Sequence, residues 1–194
     1  SALTSTLAAM TNLPVLCLEM PIHQNQLQID RGKEHIKWIK QRFNNVKNKE
    51  INLSNVFDLF IKDVAKDKTK NNQLALANAR ARIRMSTLYY HAQINNFLVL
   101  GTGNKVEDFG IGFFTKYGDG GVDISPIADL LKTEVYLLAK YLKINEDILS
   151  ADPTDGLWDN DRTDESQIGA TYPEIELAMQ SHQEENILTE RQKE

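Results

Sequence analysis

Short apolar runs of strand length alternate with amphipathic helical segments along the first hundred residues of this chain. Strands are predicted for three such runs, at residues 14–19, 50–53 and 97–100. Helices are predicted where apolar residues recur at helical spacing, at residues 2–11, 27–43, 54–64 (with Ser54 as N-cap) and 74–94. Strands separated by helices pair in parallel through crossover connections. The sequence therefore predicts an α/β fold, a doubly wound parallel sheet with helices on both faces.

Length and composition narrow the class of protein further. The 194 residues are the size of one α/β domain, so residues 1–194 are predicted to form a single domain, with further helices at 126–142 and 173–183. A net charge of −5 argues against a nucleic-acid partner. No apolar stretch approaches the roughly 20 residues that span a bilayer, and no signal peptide is evident, so a cytoplasmic location is expected. Cys17 lies among aliphatic residues and is predicted to be a core residue.

A glycine-rich stretch at residues 101–123 follows the third predicted strand and combines flexible backbone with charged side chains. Ligands of parallel α/β sheets bind beyond the carboxyl ends of the strands, where Thr102 stands. Carboxylates such as Glu107 are hard ligands for magnesium. These features predict a site for a phosphate-bearing ligand and a divalent cation. Two plainer interpretations stay open: an acidic pair at a helix start, and a tight turn at Asp119-Gly120.

Cationic side chains elsewhere are further candidates. On the predicted helix at 74–94, Arg82 points away from Arg80 and Arg84, so one face can meet a ligand and the other solvent or a partner. A simple solvated basic face is the alternative. Lys132 lies early in its predicted helix, where a cation opposes the helix dipole, and this favours a ligand-facing role. The sequence contains no Walker A motif, no zinc-ligand spacing and no nucleophile elbow.

With these residues in hand, the chain resembles the NAD synthetase family, amide-forming ligases of the adenine-nucleotide-hydrolase (ATP pyrophosphatase) superfamily, whose fold is Rossmann-like. The resemblance runs from Ser1 to about residue 180. It rests on the order and spacing of several motifs: Asn78-x-x-x-Arg82-x-Arg84-Met85, Gly101-Thr102-x-Asn104-x-x-Glu107, Gly112-Phe113-Phe114-Thr115-Lys116-Tyr117-Gly118-Asp119-Gly120-Gly121-x-Asp123, Pro126-x-x-x-Leu130-x-Lys132, Pro153-Thr154-x-x-Leu157-Trp158, Asp164-Glu165 and Gly169-x-x-Tyr172.

The resemblance implies a two-step reaction. The nicotinate carboxylate of deamido-NAD attacks the α-phosphate of ATP and releases pyrophosphate, and ammonia then displaces AMP to form NAD. Such a site holds two polyanions, so positioning and charge neutralisation matter more than acid–base groups. The implied cofactor is Mg²⁺, with ATP as co-substrate, and the implied assembly is a homodimer.

The resemblance also implies roles for individual residues. The implied ATP contacts are Ser1, Thr102, Lys132 and Thr154. The implied deamido-NAD contacts are Arg82, Lys116 and Asp123. Glu107 matches the magnesium ligand, Lys132 the lysine that steadies the ATP phosphates during catalysis, and Asp119 a catalytic candidate beside the nicotinate and ammonia.

The chain departs from the family pattern at both ends. Ser1 matches the last serine of the family's Ser-Gly-Gly-x-Asp-Ser loop, so the rest of that pyrophosphate loop and the first strand are expected to be missing from this chain. That expectation accounts for a start in a helix rather than in a strand. The family's C-terminal His-Lys pair is expected to be missing from this chain as well.

Two other functions are compatible with the sequence. One is a different ATP-pyrophosphatase ligase, such as a GMP synthetase-like or tRNA-modifying enzyme, which we expect to lack the stretch at 113–121. The other is a nucleotide-binding module without turnover.

Overall fold

The computed structural model describes residues 2–65, 69, 71–154, 156–157 and 162–183. Strands β1 (Val15–Glu19) and β2 (Val46–Glu50) pair in parallel, in register from their first residues to their last. Helix α2 (Gln26–Arg42) connects them. A helical crossover between parallel strands is the βαβ unit. The predicted α/β class with a parallel sheet is confirmed.

The second strand begins earlier than predicted. We expected it at 50–53, and the structure has it at Val46–Glu50, so that prediction is wrong. Only Val46 is buried, and the other four residues are exposed. Such an edge strand has no alternation of apolar and polar residues. The apolar residues Ile51 and Leu53 do alternate with polar ones, so the strand was predicted four residues too late in the chain. Those two side chains instead pack in the cluster beneath the following helix.

The prediction of a third strand at 97–100 is also wrong, because this segment forms no regular strand. Within the described residues it makes one isolated parallel bridge, Leu100 to Ile124. The backbone bonds Gly101 N–H to Ile124 O (2.7 Å) and Asp123 N–H to Val99 O (3.0 Å) surround that bridge. Together with β1, this segment lines an apolar cavity of about 1050 Å³. The bridge closes the glycine-rich stretch on itself, because it joins the two ends of residues 101–123.

Helices account for most of the remaining described structure. In chain order they are α1 (Ala2–Met10), α3 (Ser54–Asp63), α4 (Asn72–Asn95), a π-helical turn (Lys105–Ile111), α5 (Lys132–Tyr141), α6 (Glu146–Leu149), α7 (Asp164–Ile168) and α8 (Tyr172–Gln183). The predicted helices at 2–11, 27–43, 74–94 and 173–183 are confirmed to within about two residues. None of the helices in the described part of the chain combines the length and apolar character that crossing a membrane requires.

Two helix starts differ from their predictions. Ser54 is the first residue of α3 rather than its N-cap, which is Leu53. The helix expected at 126–142 begins only at Lys132, because Leu131 has an extended backbone (φ −65°, ψ 158°) and ends the turns that precede it. Lys132 therefore stands at the first position of α5, and its predicted place early in a helix is confirmed.

The core is divided among several apolar clusters. Ala9 of α1, Ile39 of α2 and Val46 of β2 pack together, and Cys17 packs partly buried against them. Phe57 of α3 is fully buried in a second cluster with residues of α4. These contacts place α1 and α2 against β1 and β2 and leave the glycine-rich stretch between α4 and α5.

Candidate active site

The π-helical turn begins at a buried asparagine. The side-chain oxygen of Asn104 accepts hydrogen bonds from the backbone N–H groups of Val106 (3.0 Å) and Glu107 (3.1 Å). Asn104 is 2% exposed and Val106 is fully buried. An N-cap of this kind satisfies amide groups that a helix start leaves without partners. Asn104 therefore sets the direction in which the Glu107 side chain leaves the turn.

Glu107 and Lys132 form a partly buried ion pair. The Nζ atom of Lys132 lies 2.7 Å from Oε1 of Glu107, and each side chain is 15% exposed. A lysine at the first position of a helix is opposed by the helix dipole. The carboxylate offsets that opposition and holds the ammonium group at the helix start.

Tyr172 of α8 completes this group. Its hydroxyl donates to Oε1 of Glu107 (2.6 Å) and contacts Oδ2 of Asp164 (3.3 Å). Burial raises the pKa of Glu107, but the charge and hydrogen bond of Lys132 and the hydrogen bond of Tyr172 outweigh it, so the net pKa is lowered. Burial, and then Glu107, raise the pKa of Tyr172. The carboxylate thus stays ionised at neutral pH and the phenol stays a donor.

A cavity of about 440 Å³ lies beside this pair. Its lining brings together Thr102, Lys132 and Thr154, which are the ATP contacts implied by the resemblance that fall on described residues. Ser1 lies outside the described residues. The lining also includes side chains that sequence reasoning assigned no role here: Gln24, Gln28, His35, Arg84 and Tyr136.

The loop that carries Thr154 is anchored from two sides. Gln24 donates to the backbone carbonyl of Gly156 (2.7 Å), and Arg80 donates to that of Leu157 (2.6 Å). The guanidinium of Arg80 also lies over a phenylalanine ring of α3 at 4.5 Å. Arg80 therefore has a buried structural position that supports this loop.

The second group of predicted contacts lies along α4. Nε of Arg82 donates to the backbone carbonyl of Lys116 (3.0 Å), and the hydroxyl of Thr115 donates to Asn78 (2.7 Å). Both Arg82 and Lys116 are exposed. The structure thus holds two of the three implied deamido-NAD contacts, Arg82 and Lys116, side by side at the junction of α4 and the glycine-rich stretch.

The two aspartates of that stretch support its backbone. Oδ1 of Asp119 accepts from the N–H of Thr115 (3.0 Å). Asp123 accepts from the hydroxyl of Tyr89 (3.0 Å) through Oδ1 and from the N–H of Val99 (2.8 Å) through Oδ2. One oxygen of Asp123 therefore helps to close the loop at Val99, and the other ties the end of the loop to α4.

An acidic environment surrounds the start of the turn. Burial raises the pKa of Asp108 to about 6, and the charges of Glu107 and Asp119 add to the shift. In the described part of the chain, no three His, Cys, Asp or Glu side chains are grouped so as to hold a metal ion by themselves. Magnesium usually takes one or two carboxylates and completes its shell with phosphate oxygens and water. Glu107 fits that pattern as a single carboxylate whose lowered pKa keeps it ionised.

Three residues of this site were missed as functional candidates. Asn104 had a signal, since an asparagine directly before the first residue of a helix is a typical N-cap. Tyr172 and Asp164 belonged to the quoted motifs, but the contact between Tyr172 and Glu107 joins segments 65 residues apart along the chain, and no local pattern indicates such a pairing.

Known proteins resemble this chain in sequence and in fold. The family model described as NAD synthase matches residues 1–194. The NH(3)-dependent NAD(+) synthetase of Mycoplasma genitalium is 44% identical over 161 residues, which are 83% of this chain and 62% of that protein. The chain therefore spans less than two thirds of that relative.

Solved structures agree. NMN synthetase from Francisella tularensis superposes with a TM-score of 0.84 at 34% identity, covering 98% of this chain and 74% of that one. The NH3-dependent NAD synthetase from Campylobacter jejuni gives 0.70 at 28% identity, covering 94% and 70%. Because the family model covers the whole sequence and these proteins share its fold, the chain belongs to the NAD synthase family.

Proposed function

We propose that this chain carries out the ATP-dependent amidation of deamido-NAD to NAD, with ammonia as the nitrogen donor. The carboxylate oxygen of the nicotinate attacks the α-phosphorus of ATP, and pyrophosphate leaves. Ammonia then attacks the acyl carbon and loses a proton, and AMP leaves with the electrons of the broken C–O bond. The observation that carries the proposal is the Glu107–Lys132 pair beside the cavity that Thr102 and Thr154 line.

In this proposal, the cavity of about 440 Å³ takes ATP. Thr102 and Thr154 bind the nucleotide, and Lys132 steadies its phosphates during the displacement. Glu107 would hold Mg²⁺, which, when bound, neutralises charge on the phosphate oxygens. The low pKa of Glu107 supports this role, since a metal ligand must be ionised.

Deamido-NAD, the substrate that accepts the adenylate group, binds at the junction of α4 and the glycine-rich stretch. Arg82 and Lys116 provide exposed cationic groups for the phosphates of deamido-NAD. Asp123 closes the loop that presents Lys116, and Asp119 stands beside the nicotinate and ammonia. Because the two cations are exposed, we further propose that a second copy of the chain covers the dinucleotide in a homodimer. Dependence on ATP fits a cytoplasmic location.

A second acceptor has specific support. The solved structure with a TM-score of 0.84 is named an NMN synthetase. Nicotinic acid mononucleotide carries the same carboxylate but lacks the adenylate half. Steady-state assays with each acceptor decide between them, because the preferred substrate has the higher kcat/KM.

The test is release of pyrophosphate and formation of NAD from deamido-NAD, MgATP and ammonium chloride. It is run on these 194 residues and on the gene product that contains them. Glu107→Gln should lower kcat/KM at least 100-fold, because it removes the charge that would bind the cation. Asp63→Asn, which removes an exposed carboxylate at the end of α3, is the matched control.

Each outcome has a definite meaning. No pyrophosphate from either protein refutes the proposal. Binding of ATP without any turnover supports a nucleotide-binding module. Pyrophosphate release that requires a different carbonyl acceptor supports another ligase of the superfamily.

A further inference from the structure

We propose that Tyr172 is a positioning residue for the ATP and Mg²⁺ half of the site, because its hydroxyl and Lys132 converge on one oxygen of Glu107 and its ring supports the lysine. This inference rests on the proposed function for its substrates. It adds a role that neither the motifs nor the family match assigns to Tyr172.

The geometry at Glu107 fixes the orientation of its carboxylate. The hydroxyl of Tyr172 lies 2.6 Å and Nζ of Lys132 lies 2.7 Å from the same atom, Oε1. Two donors on one oxygen hold the carboxylate against rotation about its last side-chain bond. The side chain of Asn104 is a further hydrogen-bond partner of this carboxylate, so three neighbouring side chains fix its orientation.

The ring of Tyr172 acts on Lys132 directly. Nζ of Lys132 lies 4.6 Å from the ring centroid, within the range of a cation–π interaction. The ammonium group is thus held between the ring and the carboxylate. This arrangement limits where it can meet a phosphate.

Burial makes α8 a rigid support for this arrangement. Tyr172 is 4% exposed and packs with Ile175 against Val106, the neighbour of Glu107 in the π-helical turn. A side chain without free volume around it keeps its rotamer. Tyr172 therefore connects the turn that carries the carboxylate to the helix that carries the lysine.

A second contact from α8 fixes the start of α5. Glu176, 6% exposed, accepts from the N–H of Thr133 (2.9 Å) and from its hydroxyl (2.7 Å). Thr133 follows Lys132 directly. Helix α8 therefore holds the lysine backbone through Glu176 and its side chain through Tyr172.

Tyr172→Phe tests the role of the hydroxyl, because it keeps the ring and removes one donor. Outer partners of metal ligands typically change affinity or activity about 10- to 100-fold. We expect about 10-fold weaker binding of Mn²⁺ in the presence of α,β-methylene-ATP, measured by EPR. In turnover, KM for MgATP should rise by about the same factor, while KM for deamido-NAD stays within about twofold. Tyr141→Phe, at a tyrosine 79% exposed on α5, is the matched control and should change neither quantity.

The readouts separate this inference from the proposed function. If the wild-type protein binds Mn²⁺ and the analogue but releases no pyrophosphate, the function is refuted, and the EPR comparison still decides the role of Tyr172. An unchanged Mn²⁺ affinity in Tyr172→Phe overturns the inference. An equal rise in KM for both substrates, together with a lower thermal midpoint, also overturns the inference. That pattern would mean that the substitution destabilises the whole fold. Failure of the wild-type protein to bind Mn²⁺ with the analogue overturns both proposals.

Discussion

Removing the Asn104 side chain should destabilise the protein more than an ordinary loss of a helix cap. Asn104→Ala takes the acceptor from two backbone N–H groups, those of Val106 and Glu107. Val106 is fully buried, so water cannot replace the lost bond there, whereas Glu107 is only partly buried. A buried donor without a partner costs about 1–3 kcal/mol. Loss of an ordinary cap costs about 1 kcal/mol.

The two contributions together predict a loss of about 3 kcal/mol in the free energy of unfolding. That is a large share of the roughly 5–15 kcal/mol that stabilises a typical domain. Urea unfolding followed by far-UV circular dichroism measures it, with linear extrapolation to water. Asn104→Ser keeps an acceptor and should recover at least half of the loss.

Asn25→Ala is the matched comparison. Asn25 caps α2 by accepting from the N–H of Leu27 at 3.0 Å, in an exposed position where water can take over. We expect a loss of about 1 kcal/mol there. If Asn104→Ala costs no more than Asn25→Ala, the argument from buried donors is refuted.

Two further predictions concern pH and packing. Burial lowers the pKa of His35 from 6.5 to about 4, so the unfolded chain binds a proton at higher pH than the folded protein. The free energy of unfolding should therefore fall by up to about 3 kcal/mol as the pH falls from 6.5 to 4. His35→Gln should flatten that part of the profile of urea midpoints against pH, and coincident profiles would contradict it. Gly118→Ala should lower the thermal midpoint, since its Cβ would lie 2.9 Å from side-chain atoms of Ala81 and Thr115, at a cost of about 1–3 kcal/mol. Gly32→Ala, in open space within α2, should raise the midpoint instead, and equal shifts in both variants would refute the steric argument.

Helix positions were predictable because they depend on local periodicity. Helices α1, α2, α4 and α8 lie within about two residues of their expected bounds. The strand at 46–50 was not predictable in that way, because an edge strand with four exposed residues has no apolar alternation. The strand predicted at 97–100 was wrong for the opposite reason. The segment has the composition of a strand, but in the described residues its backbone forms only one β-bridge.

The candidate site also has residues that the sequence could predict and residues that it could not. Thr102, Glu107 and Lys132 could be named beforehand because they belong to motifs of recognisable order and spacing. The π-helical turn could not, since its backbone depends on the Asn104 cap and on packing of Val106 against α8. The contact between Tyr172 and Glu107 joins residues 65 apart in the chain, and no local pattern reports it.

By itself, the sequence determined the class of fold, the approximate helices and the types of residue available for binding phosphate and a cation. These follow from periodicity, charge and motif spacing, which act over short distances along the chain. Only the tertiary structure decided that Glu107, Lys132 and Tyr172 share one carboxylate oxygen, and that the ends of the glycine-rich stretch meet at Leu100 and Ile124. The physical reason is that such contacts depend on how separate elements pack, and burial then determines both their geometry and their protonation.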